Sequence, residues 1–122
     1  MFSMYLDVPG PPEAPEVHDV MHDSCIVSWQ PPIQDGGSPV TGYFLERRAT
    51  SSNIWVKVNK EATAELTLTV ANLIESNEYE FRVSAENKAG VGPPSSPSKP
   101  IVAKDPCGKI ASIIVLSYRA MW

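Results

Sequence analysis

Polar and apolar side chains alternate strictly along one stretch of the chain. From Glu78 to Asn87, Tyr79, Phe81, Val83 and Ala85 are apolar, whereas Glu78, Glu80, Arg82, Ser84 and Glu86 are polar. A period of two belongs to a strand with one side in a core and the other in water. Leu73 and the polar turn Glu75-Ser76-Asn77 come just before it, which makes Tyr79 its first large inward residue. That is the position of a tyrosine corner, in which the ring packs in the core and the hydroxyl returns to backbone a few residues upstream.

Shorter alternating runs lie on either side. Closely spaced prolines from Pro9 to Pro15 hold the leading segment extended. Residues 16–20 predict a short edge strand, and residues 24–30 a second strand with Cys25, Val27 and Trp29 inward, ended by Pro31-Pro32. The turn-forming loop from Ile33 to Pro39 opens onto a third strand, 40–48, in which Tyr43, Leu45 and Arg47 alternate with Phe44, Glu46 and Arg48. Residues 54–58 predict a flanking strand, and 65–70 a strand with Leu66, Leu68 and Val70 inward and its threonines outward. After a hairpin-like loop from Lys88 to Pro94, residues 95–102 read as a last strand broken by prolines. About seven short strands without any helical period predict a β-sandwich.

Composition narrows the function classes. Of 122 residues 43% are hydrophobic and 20% charged, ordinary for one globular domain, while twelve prolines argue against helix. A formal charge of −4 and a pI near 5.1 lack the basic excess that displaces counterions from phosphates, so nucleic acid is not an expected partner. The run Ile110 to Leu116 is far below the roughly twenty residues that span a bilayer, and no membrane contact is expected. Residues 1–8 lack the charged start and apolar run of a signal peptide, and no Asn-x-Ser/Thr acceptor occurs, which favours a reducing home. Cys25 and Cys107 are too few for a disulfide scaffold, and Cys25 reads as a buried thiol.

Candidate chemistry is sparse. His18 and His22 with Asp19 and Asp23 carry zinc-ligand chemistry, but their spacing crosses a strand end and a turn, so they read as structural or solvated. Ser24 beside His22 and Asp23 is no nucleophile, because a base and its orienter must converge in space. The glycines of Asp35-Gly36-Gly37 and Gly90-Val91-Gly92 precede no helix start that would cradle phosphate, and they read as turn formers. Glu46, Arg48, Glu78, Glu80, Arg82 and Glu86 form a solvated face on which opposite charges pair across strands. Trp55, out of phase with Ile54, Val56 and Val58, reads either as cover for the outer surface of a sheet or as an exposed contact. No catalytic, metal or cofactor site is predicted.

The ordered set Pro15, Ser24, Trp29, Pro31-Pro32, Asp35-Gly36-Gly37-Ser38, Gly42-Tyr43, Glu46, Trp55, Leu73, Tyr79 to Asn87 and Gly90-Val91-Gly92-Pro93 resembles a fibronectin type III domain. The leading Pro-Gly-Pro-Pro, Gly-Tyr-x-x-Glu-Arg-Arg and Asn-Lys-Ala-Gly-Val-Gly-Pro-Pro are similar to type III modules of the giant muscle proteins titin, twitchin and myosin-binding protein C. The resemblance implies a seven-stranded antiparallel Greek-key sandwich of the immunoglobulin-like class over residues 9–104, with 1–8 as an N-terminal extension and 105–122 as an unstructured tail. The immunoglobulin-type bridge is not expected, since Phe81 stands where its second cysteine would be. The early Met1 and the abrupt end read as a chain cut from a longer product or carrying an aberrant end.

Core roles fall to Trp29, Tyr43, Leu68, Leu73, Tyr79, Phe81 and Val83, with Tyr43, Leu68 and Phe81 packing around Trp29. In a type III frame the loops 31–39 and 88–94 emerge at one end, so Gln34, Asp35, Ser38 and Lys88 form one polar surface for protein contact. The implied function is non-enzymatic: a cytoplasmic, sarcomeric spacer and interaction module, monomeric alone, flanked by immunoglobulin and type III neighbours and touching myosin or other thick-filament components. The alternative is a ligand-binding type III module of an extracellular receptor or adhesion protein.

Overall fold

The computed structural model describes residues 6–106. Cys107, the run Ile110 to Leu116 and the tail beyond Pro106 lie outside the described residues, as do Met1 to Tyr5.

Two antiparallel sheets face each other, and the described residues contain no helix. One sheet has the order β1 (Glu16–His18), β2 (Cys25–Ser28), β5 (Thr67–Val70). The other runs β4 (Val56–Lys57), β3 (Gly42–Ala49), β6 (Glu78–Asn87), β7 (Gly90–Val91), and β8 (Ile101–Val102) pairs further along β6. The β3–β6 ladder is the longest, from Gly42 opposite Glu86 to Ala49 opposite Tyr79. It brings Tyr43, Leu45, Phe81, Val83 and Ala85 to the inner face, where Cys25, Val27, Trp29 and Val70 of the other sheet bury against them. Trp29 and Tyr43 meet with ring centroids 5.8 Å apart at 59°, a tilted contact of the kind aromatic quadrupoles favour.

The corner forms as its position predicts. The Ile74 N–H donates to Tyr79 Oη at 2.9 Å while the ring stays buried. Arg47, inward on β3, closes this end, its guanidinium 5.8 Å from the Tyr79 ring centroid and reaching the Ala71 and Asn72 carbonyls.

Three strand expectations are corrected. The flanking strand shrinks to Val56–Lys57, with Ile54 70% and Val56 50% exposed. Beyond it the Asn59 side chain replaces the ladder, accepting from Leu45 N–H at 2.8 Å and donating to the Tyr43 carbonyl at 2.9 Å. Leu66 is exposed rather than inward, because β5 begins at Thr67 opposite Ser28, and Leu66 lies past that last pair at the margin of the sandwich. Leu68 is half-buried against the core.

The last strand, expected over 95–102, pairs only at Ile101–Val102, while Gly90–Val91 of the preceding loop pairs with β6 as well. Between them, residues 92–100 follow a period of three: Gly92, Ser95 and Ser98 are buried and the residues between them exposed. Their N–H groups donate to the carbonyls of Ala85, Val83 and Phe81 at 2.7–2.8 Å. Ser95 Oγ and Ser98 Oγ accept the Val83 and Phe81 N–H groups at 3.0 Å. Four prolines, Pro93, Pro94, Pro97 and Pro100, lack a donor and fix φ, which rules out a β ladder here. The serine hydroxyls supply the acceptors that a regular strand's carbonyls would have given, so β6 keeps its buried amides satisfied.

Candidate functional site

The end of the sandwich that carries the 31–41 and 87–92 loops is assembled around a buried amide. Asn87, the last inward residue of β6, is 3% exposed. Its Nδ2 donates to the Asp7 carbonyl at 2.8 Å and to the Asp35 carbonyl at 2.7 Å, and its Oδ1 accepts the Ala89 N–H at 2.8 Å. One side chain thus ties the leading segment, the first loop and the second loop together. Backbone bonds from Asp7 N–H to the Gly36 carbonyl and from Gly10 N–H to the Gln34 carbonyl, both 2.9 Å, complete the clamp.

Two glycines make room for it. A Cβ on Gly36 would lie 2.1 Å from the Asp7 carbonyl oxygen, and φ there is +78°. A Cβ on Gly92 would lie 2.0 Å from the Pro9 carbonyl oxygen. These residues admit a crossing backbone as well as shaping turns. Asp35 Oδ1 caps the turn by accepting the Gly37 N–H at 2.8 Å.

Of the residues expected to form a polar surface here, Gln34, Asp35 and Lys88 are exposed on this end. Ser38 is not available for contact, being only 7% exposed, because the chain turns inward there towards β3. Ile33, 90% exposed, stands beside them and was not foreseen. An open concavity of about 280 Å³ lies next to it, lined by Gly10, Pro11, Glu13, Gln30, Pro31 and Gln34.

The outer face of the larger sheet is closed by its own charges. Arg82 Nε bonds Glu46 Oε1 at 3.0 Å, and Arg48 bonds Glu80. Trp55 lies against both guanidiniums, 4.3 Å from Arg82 and 4.9 Å from Arg48 to the ring centroid. Lys57 sits 4.3 Å from the Phe44 centroid in the same way. Two cations and two anions cancel beneath the indole, so Trp55 covers the face, and the cluster has no net charge to attract a ligand.

The histidines stay apart. His18 Nε2 meets Ser28 Oγ at 2.9 Å, whereas His22 Nδ1 meets Asp105 Oδ1 at 2.9 Å and the His22 backbone N–H donates to the same oxygen at 3.1 Å. The Asp105 hydrogen bond, with Asp23 nearby, raises the His22 pKa above 6.5, and the His22 bonds lower that of Asp105. Burial pushes the Cys25 thiol up to about 11, which leaves it protonated and unreactive.

The profile of the fibronectin type III domain matches residues 10–101. The chain belongs to the fibronectin type III family. It is a single type III β-sandwich module, homologous to non-catalytic type III modules of sarcomeric proteins. The type III module is 44% identical over 97 residues to human slow-type myosin-binding protein C, covering 80% of this chain and 8% of that protein. Against human fast-type myosin-binding protein C it is 42% identical over 115 residues, covering 94% of this chain and 10% of that protein. The chain therefore spans about a tenth of the length of these relatives. Among solved structures, titin domains A168–A170 superpose with a TM-score of 0.78 at 43% identity, over 82% of this chain and 34% of that one. The Caenorhabditis elegans twitchin kinase region gives 0.75 at 33% identity, over 82% and 17%.

Within the type III module, the residues given core roles are placed as follows: Trp29, Tyr43, Leu73, Tyr79, Phe81 and Val83 are buried, and Leu68 is half-buried. Sequence reasoning missed Asn87, although the signal was present. It occupies the next inward position after Tyr79, Phe81, Val83 and Ala85, and a polar residue there must find buried partners.

Proposed function

We propose that the chain serves as a rigid spacer and weak contact module of a sarcomeric filament protein in the cytoplasm, set between neighbouring immunoglobulin and type III modules. The observation that carries the spacer role is the clamp on the leading segment. Because Asn87, Gly36 and Gly92 hold residues 7–10 against both loops, a preceding module joined there inherits a fixed direction instead of swinging on a free linker.

The contact role falls to Ile33, Gln34, Asp35 and Lys88, an apolar tip flanked by polar groups on the same end. The adjacent concavity is open and small, so a single module binds weakly and useful strength comes from many modules acting through effective concentration. The relatives named for binding myosin make thick-filament myosin the partner to test. Co-sedimentation of the single chain and of a tandem fragment with myosin filaments decides it. Binding by the tandem that falls with Ile33→Ser or Lys88→Glu supports the contact, and absence of binding by the tandem leaves the spacer role alone.

A further inference from the structure

The proline-broken edge has a second property beyond holding β6. From Pro93 to Pro100 the sequence is Pro-Pro-Ser-Ser-Pro-Ser-Lys-Pro, with Pro94, Pro97 and Pro100 three residues apart. Prolines with φ near −65°, each forcing the residue before it to stay extended, generate a polyproline-type path with three residues per turn. Burial follows that turn. Ser95 and Ser98 form the one ridge that faces the sandwich, and Pro94, Pro97 and Pro100 form a second ridge in solvent. Pro93, Ser96 and Lys99 form the third, also in solvent.

A groove that grips a threefold helix takes two of its ridges and leaves the third pointing away. Here the ridge that would point away is the one already bonded to β6 by both serines. The domain thus holds a Pro-x-x-Pro-x-Lys ligand in its binding shape with the spacer residues inward, so a partner meets little ordering cost. The edge does not suit strand addition, since four of its eight residues have no N–H to offer. Lys99, exposed and without an ion pair among the described residues, adds one cation at the downstream end of the proline ridge. Beside it an open groove of about 430 Å³ between residues 14–17 and Pro97 to Ile101 gives a partner's rim room to approach.

We infer that the exposed ridges of residues 93–100 are a preformed docking site for a protein domain with an aromatic-lined polyproline groove and an acidic rim, the chemistry carried by SH3 domains. Pro94 and Pro97 fill the aromatic slots and Lys99 meets the acidic rim.

The test is a titration of the whole 122-residue chain, labelled with nitrogen-15, with an SH3 domain selected for Pro-x-x-Pro-x-Lys ligands. A synthetic peptide of residues 92–101 is run in parallel. The expected result is binding by both, with shifts confined to Ser96, Lys99 and the neighbouring 14–17 stretch and with the core amides of Phe81 and Val83 unmoved. Lys99→Glu weakens binding about tenfold at an unchanged melting temperature, and Pro97→Ala, made as a second variant, weakens it too. Binding by the peptide but not by the folded chain overturns the inference, as does binding by neither. Loss of the core resonances on binding, or equal binding by the parent and both variants, overturns it as well.

Discussion

Replacing Trp55 by alanine tests how the outer face of the larger sheet is held. The indole lies 4.3 Å from the Arg82 guanidinium and 4.9 Å from that of Arg48. The two arginine side chains are 27% and 28% exposed and their glutamate partners 19% and 12%. At such partly covered sites each cation–π contact contributes about 0.5–1 kcal/mol, and half-burying the ring adds about 1 kcal/mol. Trp55→Ala is therefore expected to lower stability by about 2–3 kcal/mol. The assay is urea denaturation followed by circular dichroism, with the slope against denaturant held as the check that the unfolding transition has kept its character. A double-mutant cycle with Arg82→Gln isolates the charge–ring contact, for which a coupling of about 0.5–1 kcal/mol is expected. Zero coupling together with a loss under about 0.5 kcal/mol would refute the reasoning, since surface changes away from any specific contact fall in that range.

Three further outcomes are expected. Tyr79→Phe keeps the buried ring but leaves the Ile74 N–H without its acceptor, a loss of about 1–2 kcal/mol; a denaturation midpoint equal to the parent's would remove the corner's role. Gly92→Ala drives a Cβ to 2.0 Å from the Pro9 carbonyl oxygen and should cost about 1–3 kcal/mol, detached leading-segment amides in hydrogen exchange being the local sign, and parental protection of Asp7 and Gly10 counting against the clamp. His22 should titrate above 6.5 in the parent and return towards 6.5 in Asp105→Asn, read from its ring proton shifts. The raised His22 pKa means that its share of stability is full below pH 6.5 and fades as pH rises through the folded value. The lowered Asp105 pKa gives a share present above pH 3.8 that fades as pH falls through the folded value.

Strand periodicity made much of the inner architecture readable before any coordinates. A one-residue slip on the long strand would turn Tyr79, Phe81 and Val83 into water, so their alternation specified both register and facing. Tyr79 after Leu73 and a polar turn carried the corner, because its geometry is local to a few residues. Trp29 with Cys25 and Val27 was legible for the same reason.

Other features needed the third dimension. The lengths of β4 and β5 were set by neighbours: Asn59 took over the partner's place beside Leu45 and Tyr43, and Leu66 fell past the last pair with β2. Whether Trp55 was cover or contact depended on Arg82, two strands away from it across the sheet and distant in the chain. Gly36 and Gly92 looked like turn formers because a sequence does not show the backbone that passes over a residue, which here is Asp7 to Pro9. The prolines of residues 93–100 announced a broken strand. Only the packed β6 showed that Ser95 and Ser98 face inward and complete its hydrogen bonds, leaving the proline ridge in water, because which of three equivalent ridges turns inward is chosen by the surface it packs on.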